Sequence, residues 1–111
     1  MSQQASAQEQ STPSLAEMKS NAAEAARLMR ALSNENRLLI LCYLQGQEMS
    51  VGELNRSLDL SQSALSQHLA VLRNDGLVQT RRESQTIFYS LRGDRATRVI
   101  ETLHSLYCPD A

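Results

Sequence analysis

Ser50-Val51-Gly52-Glu53-Leu54, Leu60-Ser61-Gln62-Ser63-Ala64-Leu65-Ser66-Gln67-His68-Leu69, Gly76-Leu77-Val78-Gln79-Thr80-Arg81-Arg82 and Thr86-Ile87-Phe88-Tyr89-Ser90-Leu91 follow one another within 42 residues. In order they describe a short helix, a tight turn, a second helix with small polar residues on one face, and a basic β-hairpin. That succession predicts a mainly α chain carrying a small β-hairpin, a winged helix-turn-helix in the order α-α-α-α-β-β-α. Such a shape presents one helix to the major groove of DNA.

The local signals are specific. Ser50 and Glu53 are spaced as a capping box, in which hydroxyl and carboxylate satisfy each other's backbone N–H groups. Leu54 and Leu58 then face inward. Ser61 caps the next helix, whose Leu65, Leu69 and Leu72 recur at i, i+4 and i+7 as a buried stripe. Asn74-Asp75-Gly76 stops it. Residues 77–82 and 86–91 are rich in β-formers and are joined by Glu83-Ser84-Gln85.

Working outward, Ser14-Leu15-Ala16-Glu17 is a second capping box, opening a helix over 14–32 with Leu15, Met18, Ala22, Ala25, Met29 and Leu32 in a helical stripe. So long a helix has little core of its own to cover in so small a chain, which points to a subunit interface. Ser33 or Asn34 caps a second helix running to about Gln45. Its run 38–44 is apolar almost all round, which predicts central burial. Gly93-Asp94 begins a last helix with Val99, Ile100, Leu103, Leu106 and Tyr107 on one side, limited by Pro109. Residues 1–13 are rich in Gln, Ser and Ala and read as a disordered tail, with 109–111 as a short C-terminal one. Residues 14–108 form one domain.

At 111 residues the chain has room for one core. No apolar run approaches the roughly 20 residues that cross a bilayer, and no secretory signal pattern opens the chain, so no membrane is involved and the cytoplasm is the expected location. The net charge is −1, but its distribution is uneven. Residues 61–98 hold Arg73, Arg81, Arg82, Arg92, Arg95 and Arg98 against Asp75, Glu83 and Asp94, a local excess of +3. The basic excess falls on the segment expected to face phosphate. It is modest, so two patches in a dimer would serve better than one.

With the leucines turned inward, the outer face of the fourth helix carries Gln62, Ser63, Ser66 and Gln67 near its N-terminus, the end that meets base edges in this architecture. Gln can pair with adenine at two positions, and Ser can serve bases or phosphates. His68 is a helix-edge histidine, a phosphate contact or a metal ligand, with the first two favoured. Arg81, Arg82 and Gln85 are expected at the hairpin tip, against the DNA backbone or minor groove. An ordinary solvated helix face and a solvated turn are the plain alternatives.

Ser63-Ala64-Leu65-Ser66-Gln67-His68-Leu69 with Leu72, then Gly76-Leu77-Val78 and Phe88-Tyr89-Ser90-Leu91, resembles the ArsR/SmtB family of winged-helix repressors. Ala31-Leu32-Ser33-Asn34-Glu35-Asn36-Arg37 is similar to it as well, and the likeness spans residues 15–108. It implies a homodimer joined through the helices at 14–32 and 94–107, bound to a palindromic double-stranded operator that an inducer releases. The role is that of a transcriptional regulator rather than an enzyme, with no cofactor.

The family's metal sites find no match: the third helix has no cysteine, and Asp94-Arg95-Ala96 lacks the histidine of an Asp-x-His motif. A Zn²⁺ site needs three or four converging ligands, and Cys42, Cys108, His68 and His104 form no evident set. Taken singly, Cys42 reads as a small buried hydrophobe and Cys108 as a leftover thiol. However, 39–42, 50–54 and 103–108 resemble the dithiol, persulfide-sensing branch of the family, which includes a haemolysin-gene regulator. That resemblance implies Cys42 and Cys108 as paired regulatory thiols, bridged after reaction with a persulfide-type inducer. A metal-responsive repressor, a constitutive DNA binder with inert cysteines, a thiol enzyme using Cys42 and a protein-interaction module remain the other readings.

Overall fold

The computed structural model describes residues 12–107. Cys108, the 109–111 tail and all of the 1–13 tail but Thr12 and Pro13 lie outside that span. The chain divides into two units, one ending at Arg30 and one starting at Ala31.

The first unit consists chiefly of helix α1 (Leu15–Leu32), whose last turn belongs to the second. The Ser14–Glu17 capping box forms as the spacing predicts: the Ser14 N–H donates to Glu17 Oε1 at 2.8 Å, and the Glu17 N–H to Ser14 Oγ at 3.1 Å. Leu15, Met18 and Met29 of its stripe are exposed.

The second unit continues with α2 (Glu35–Tyr43), β1 (Met49–Ser50), α3 (Val51–Ser57), α4 (Gln62–Asn74), β2 (Val78–Glu83), β3 (Thr86–Leu91) and α5 (Arg95–Tyr107). Its core is aliphatic. Ile40, Leu41 and Leu44 of the α2 region, Leu54 of α3 and Leu58 at its C-cap, and Leu65, Leu69 and Leu72 of α4 are buried with Leu77, Val78 and Ala96. α2 packs on α4 and α5, and α4 packs on β2. The caps are those the sequence announces: Asn34 accepts from the Arg37 N–H, Ser61 from the Ala64 N–H, and Ser50 and Glu53 close a reciprocal box.

The end of α4 sets the direction of everything after it. Gly76 takes φ +74°, and its N–H donates to the Arg73 carbonyl while the Leu77 N–H donates to the Leu72 carbonyl. This is a Schellman turn, and the two residues it clasps, Leu72 and Leu77, are both fully buried. The chain leaves the helix already inside the core and continues as β2.

Two expectations change. The predicted hairpin is a three-stranded antiparallel sheet in the order β1-β3-β2, with β1 in register Met49↔Tyr89 and Ser50↔Phe88. A two-residue strand carries no periodicity of its own, so only its partner β3 defines it. Glu83 and Thr86 pair, leaving Ser84-Gln85 as a two-residue turn in which Ser84 takes the left-handed φ of 56°. The second change is at α2, which is buried on one side only. Leu39, Cys42 and Tyr43, at i, i+3 and i+4, form an exposed stripe. A nine-residue helix flanked by α4 and α5 has core for one face, and the apolar run obscured which residues lie on the other.

No helix among the described residues is long and apolar enough to cross a membrane. Leu69→Ala, which deletes the middle of the α4 stripe, should destabilise the fold by about 2–5 kcal/mol in urea denaturation. Gln67→Ala on the opposite face should leave the midpoint within the scatter of the measurement.

Candidate nucleic-acid interface

The buried stripe fixes which face of α4 is left over. Gln62, Ser63, Ser66 and Gln67 are all exposed, as the sequence predicts. Among the described residues none of their side chains hydrogen-bonds to the rest of the chain, so four short polar groups stand ready at the helix N-terminal half. The turn from Leu58 to Ser61 leads from α3 into this helix. The Asn55 side-chain amide donates to the Leu60 carbonyl at 2.9 Å across that turn.

His68 stands apart from the four. It is half-buried, and desolvation, followed by the charge of nearby Arg37, lowers its pKa below the ordinary histidine value. At neutral pH it is a neutral imidazole at the flank of the helix. In that form it can donate or accept one hydrogen bond, but it adds no cation for phosphate.

The wing arginines divide. Arg81 is not at the hairpin tip: it lies mid-strand in β2, opposite Phe88, while Arg82 pairs with Ile87 and Gln85 occupies the turn. Since β1 and β2 flank β3, Arg81 reaches across Phe88 to the start of β1. Its guanidinium sits 4.7 Å from the Phe88 ring centroid and grips Glu48 with two bonds, Nε to Oε2 at 3.0 Å and Nη2 to Oε1 at 2.8 Å. Glu83 lies 3.7 Å from the same group. Hydrogen bonding to Arg81 holds the Glu48 carboxyl below its usual range. Arg81 therefore ties the wing to the α2–α3 connection, and among the described wing residues Arg82 has no ion pair. The sequence lists Glu48 and Phe88 without indicating the tie, because Glu48 is 33 residues from Arg81 and only β1 brings them together.

Cys42 is exposed on α2 rather than buried as a small hydrophobe, yet partial burial among its neighbours pushes its thiol pKa up. Its suggested partner, Cys108, lies just beyond the described residues. Among the described residues no group of three His, Cys, Asp or Glu side chains is arranged to hold a metal ion.

Residues 34–80 match the family model of bacterial regulatory proteins, arsR family. The chain is 58% identical over 94 residues to the transcriptional activator HlyU of Vibrio cholerae, covering 85% of this chain and 87% of the relative. It is 46% identical over 96 residues to the HTH-type transcriptional regulator YgaV of Escherichia coli, covering 86% and 97%. The solved structure of reduced HlyU from Vibrio cholerae superposes with a TM-score of 0.79 at 58% identity, over 85% of this chain and 99% of that one. These relatives are transcriptional regulators, not enzymes, and the shared fold is the winged helix.

Two outcomes follow from this geometry. Between the lowered pKa of His68 and the ordinary value of about 6.5, the unfolded chain binds more protons than the folded one. Stability therefore rises with pH through that window and is lost as pH falls below about 6.5. Urea midpoints at pH 7.5 and 5.5 should separate more for the wild type than for His68→Gln. In duplex titrations across salt, Arg82→Ala should lower the salt slope by about 0.9, the loss of one phosphate contact. Arg81→Ala should leave the slope unchanged, since its guanidinium is held by Glu48.

Proposed function

The chain belongs to the arsR family of bacterial regulatory proteins and is a DNA-binding transcriptional regulator, and we propose that it works as a homodimer on a palindromic operator, released when a persulfide links Cys42 to Cys108. The observation that carries the DNA-binding part is the outer face of α4, where Gln62, Ser63, Ser66 and Gln67 stand exposed without internal partners. Dimerisation is supported by exposed apolar side chains on both helices that the family likeness assigns to it: Leu15, Met18 and Met29 on α1, and Leu106 and Tyr107 on α5. A regulator of this kind acts in the cytoplasm, where its operator lies.

The thiol reading is supported by the exposure of Cys42 and by the packing of its helix, α2, against α5, the helix that Cys108 follows. Partial burial pushes the Cys42 pKa up, so at neutral pH it stays mainly the thiol. A low-molecular-weight persulfide RSSH transfers its outer sulfur to each thiol, leaving RSH and a protein persulfide. The two protein persulfides then join as a tetrasulfide. A third RSSH takes up the two hydrogens and leaves as RSH and H2S. A bridge between α2 and the end of α5 strains the elements that carry α4. The two reading helices of a dimer must meet half-sites about 34–36 Å apart, so a small rotation lowers affinity.

The test is the intact mass of the reduced protein after treatment with a glutathione persulfide donor or with hydrogen peroxide, with the same samples titrated against the promoter region of its own gene. The persulfide sample should gain two sulfurs and lose two hydrogens, and its affinity should fall. Cys42→Ser should keep its affinity under the same treatment. An unchanged mass, or a changed mass with intact DNA binding, makes the cysteines bystanders and leaves the regulator to another inducer.

A further inference from the structure

Ser66, Ala70, Arg73, Asn74 and Tyr89 line an open cleft of about 370 Å³ between α4 and strand β3. Its four polar side chains have no hydrogen bond or ion pair among the described residues. One of them is a cation and none is an anion, and the fifth lining residue, Ala70, adds only a methyl. A site with one guanidinium, two hydroxyls and an amide, and with no carboxylate, suits an anion with several acceptor oxygens.

Its position says where such an anion comes from. Ser66, Ala70, Arg73 and Asn74 are spaced at i, i+4, i+7 and i+8, so they continue the outward face that begins with Gln62 and Ser63. Arg73 lies roughly 15 Å along the helix axis from Gln62 and Ser63 at 1.5 Å per residue. That exceeds the roughly 12 Å width of the major groove, so a helix whose first turn meets base edges carries Arg73 out to the groove wall, where the backbone runs. Tyr89 closes the cleft from the sheet. It is half-buried and alternates with Phe88, so the two rings leave β3 on opposite faces. Phe88 supports the Arg81–Glu48 tie, and Tyr89 looks into the cleft.

Building on the DNA-binding reading, we propose that this cleft seats one phosphodiester of the operator backbone, with Arg73 as its charge partner and the Tyr89 hydroxyl as a neutral donor. Seated there, one phosphate fixes the depth and register of α4 in the groove without reading sequence, leaving that to Gln62, Ser63, Ser66 and Gln67.

The experiment titrates wild type, Arg73→Gln, Arg73→Lys, Tyr89→Phe and Ala70→Leu against two duplexes of equal length over a range of salt. One duplex carries the promoter region of the protein's own gene, the other an unrelated sequence. Arg73→Gln should weaken binding to both by a similar factor and lower the salt slope by about 0.9, whereas Arg73→Lys should restore the slope. Tyr89→Phe should weaken both by about tenfold with the slope unchanged, because it removes a donor and no charge. Ala70→Leu, which adds bulk to the lining, should weaken both although no polar group is lost. Thermal melts of the free variants, all substituted at surface or half-buried positions, separate these effects from unfolding.

Wild-type affinity and slope in Arg73→Gln would overturn the proposal. So would a loss confined to the promoter duplex, since Arg73 would then be reading a base. Inorganic phosphate gives a further arm. If millimolar phosphate shifts the Arg73 and Tyr89 resonances while the variants bind DNA normally, the cleft belongs to a free anion and the backbone assignment fails. If wild-type protein binds neither duplex even at low salt, the regulator reading fails first and takes this one with it.

Discussion

The clasp between Leu72 and Leu77 is the constraint on which the molecule's working surface depends. Leu65, Leu69 and Leu72 bury one side of α4, and the Schellman turn at Gly76 delivers Leu77 into the same core before β2 begins. Helix and wing are thus fixed to one another through a buried contact and two backbone hydrogen bonds rather than through their exposed residues. The polar face of α4 and the sheet can then vary in chemistry without altering their relative placement.

Much of this was legible in the sequence, because each signal is local. A serine three residues before a glutamate, leucines at i, i+4 and i+7, and Asn-Asp-Gly before an extended run each act over a single turn. The structure realises them at Ser14, Ser50, Ser61 and Gly76. The outward Gln62, Ser63, Ser66 and Gln67 followed at once, since naming the buried face of a helix names the exposed one.

What could not be read depends on pairing across distance. β1 exists because Met49 and Ser50 find Tyr89 and Phe88, and nothing in two residues foretells that. The same pairing brings Glu48 to Arg81, turning a residue that looked like a free wing cation into a structural tie. The cleft at Tyr89 is of the same kind, made by a helix and a strand whose spacing in sequence says nothing about their separation. Cys42 was obscured differently. An apolar run on a short helix hides its own exposed stripe, and only the packing of α2 against α4 and α5 shows that Leu39, Cys42 and Tyr43 are turned away from the core.

The division of the wing's charge has a consequence for the balance between holding and reading DNA. The net charge is −1, so nonspecific attraction to phosphate is weak, and each arginine committed internally makes it weaker. Arg81 is so committed, held by Glu48 and stacked on Phe88 on the face of the sheet opposite Tyr89. A wing with few free cations adds little affinity for arbitrary sequence. In the proposed complex, discrimination rests on whether the four α4 side chains find matching base edges, so a change in the angle of α4 changes occupancy. For the release proposed above, a modest basic patch is a condition: a chain that clung to phosphate everywhere could not be released by a shift of one helix.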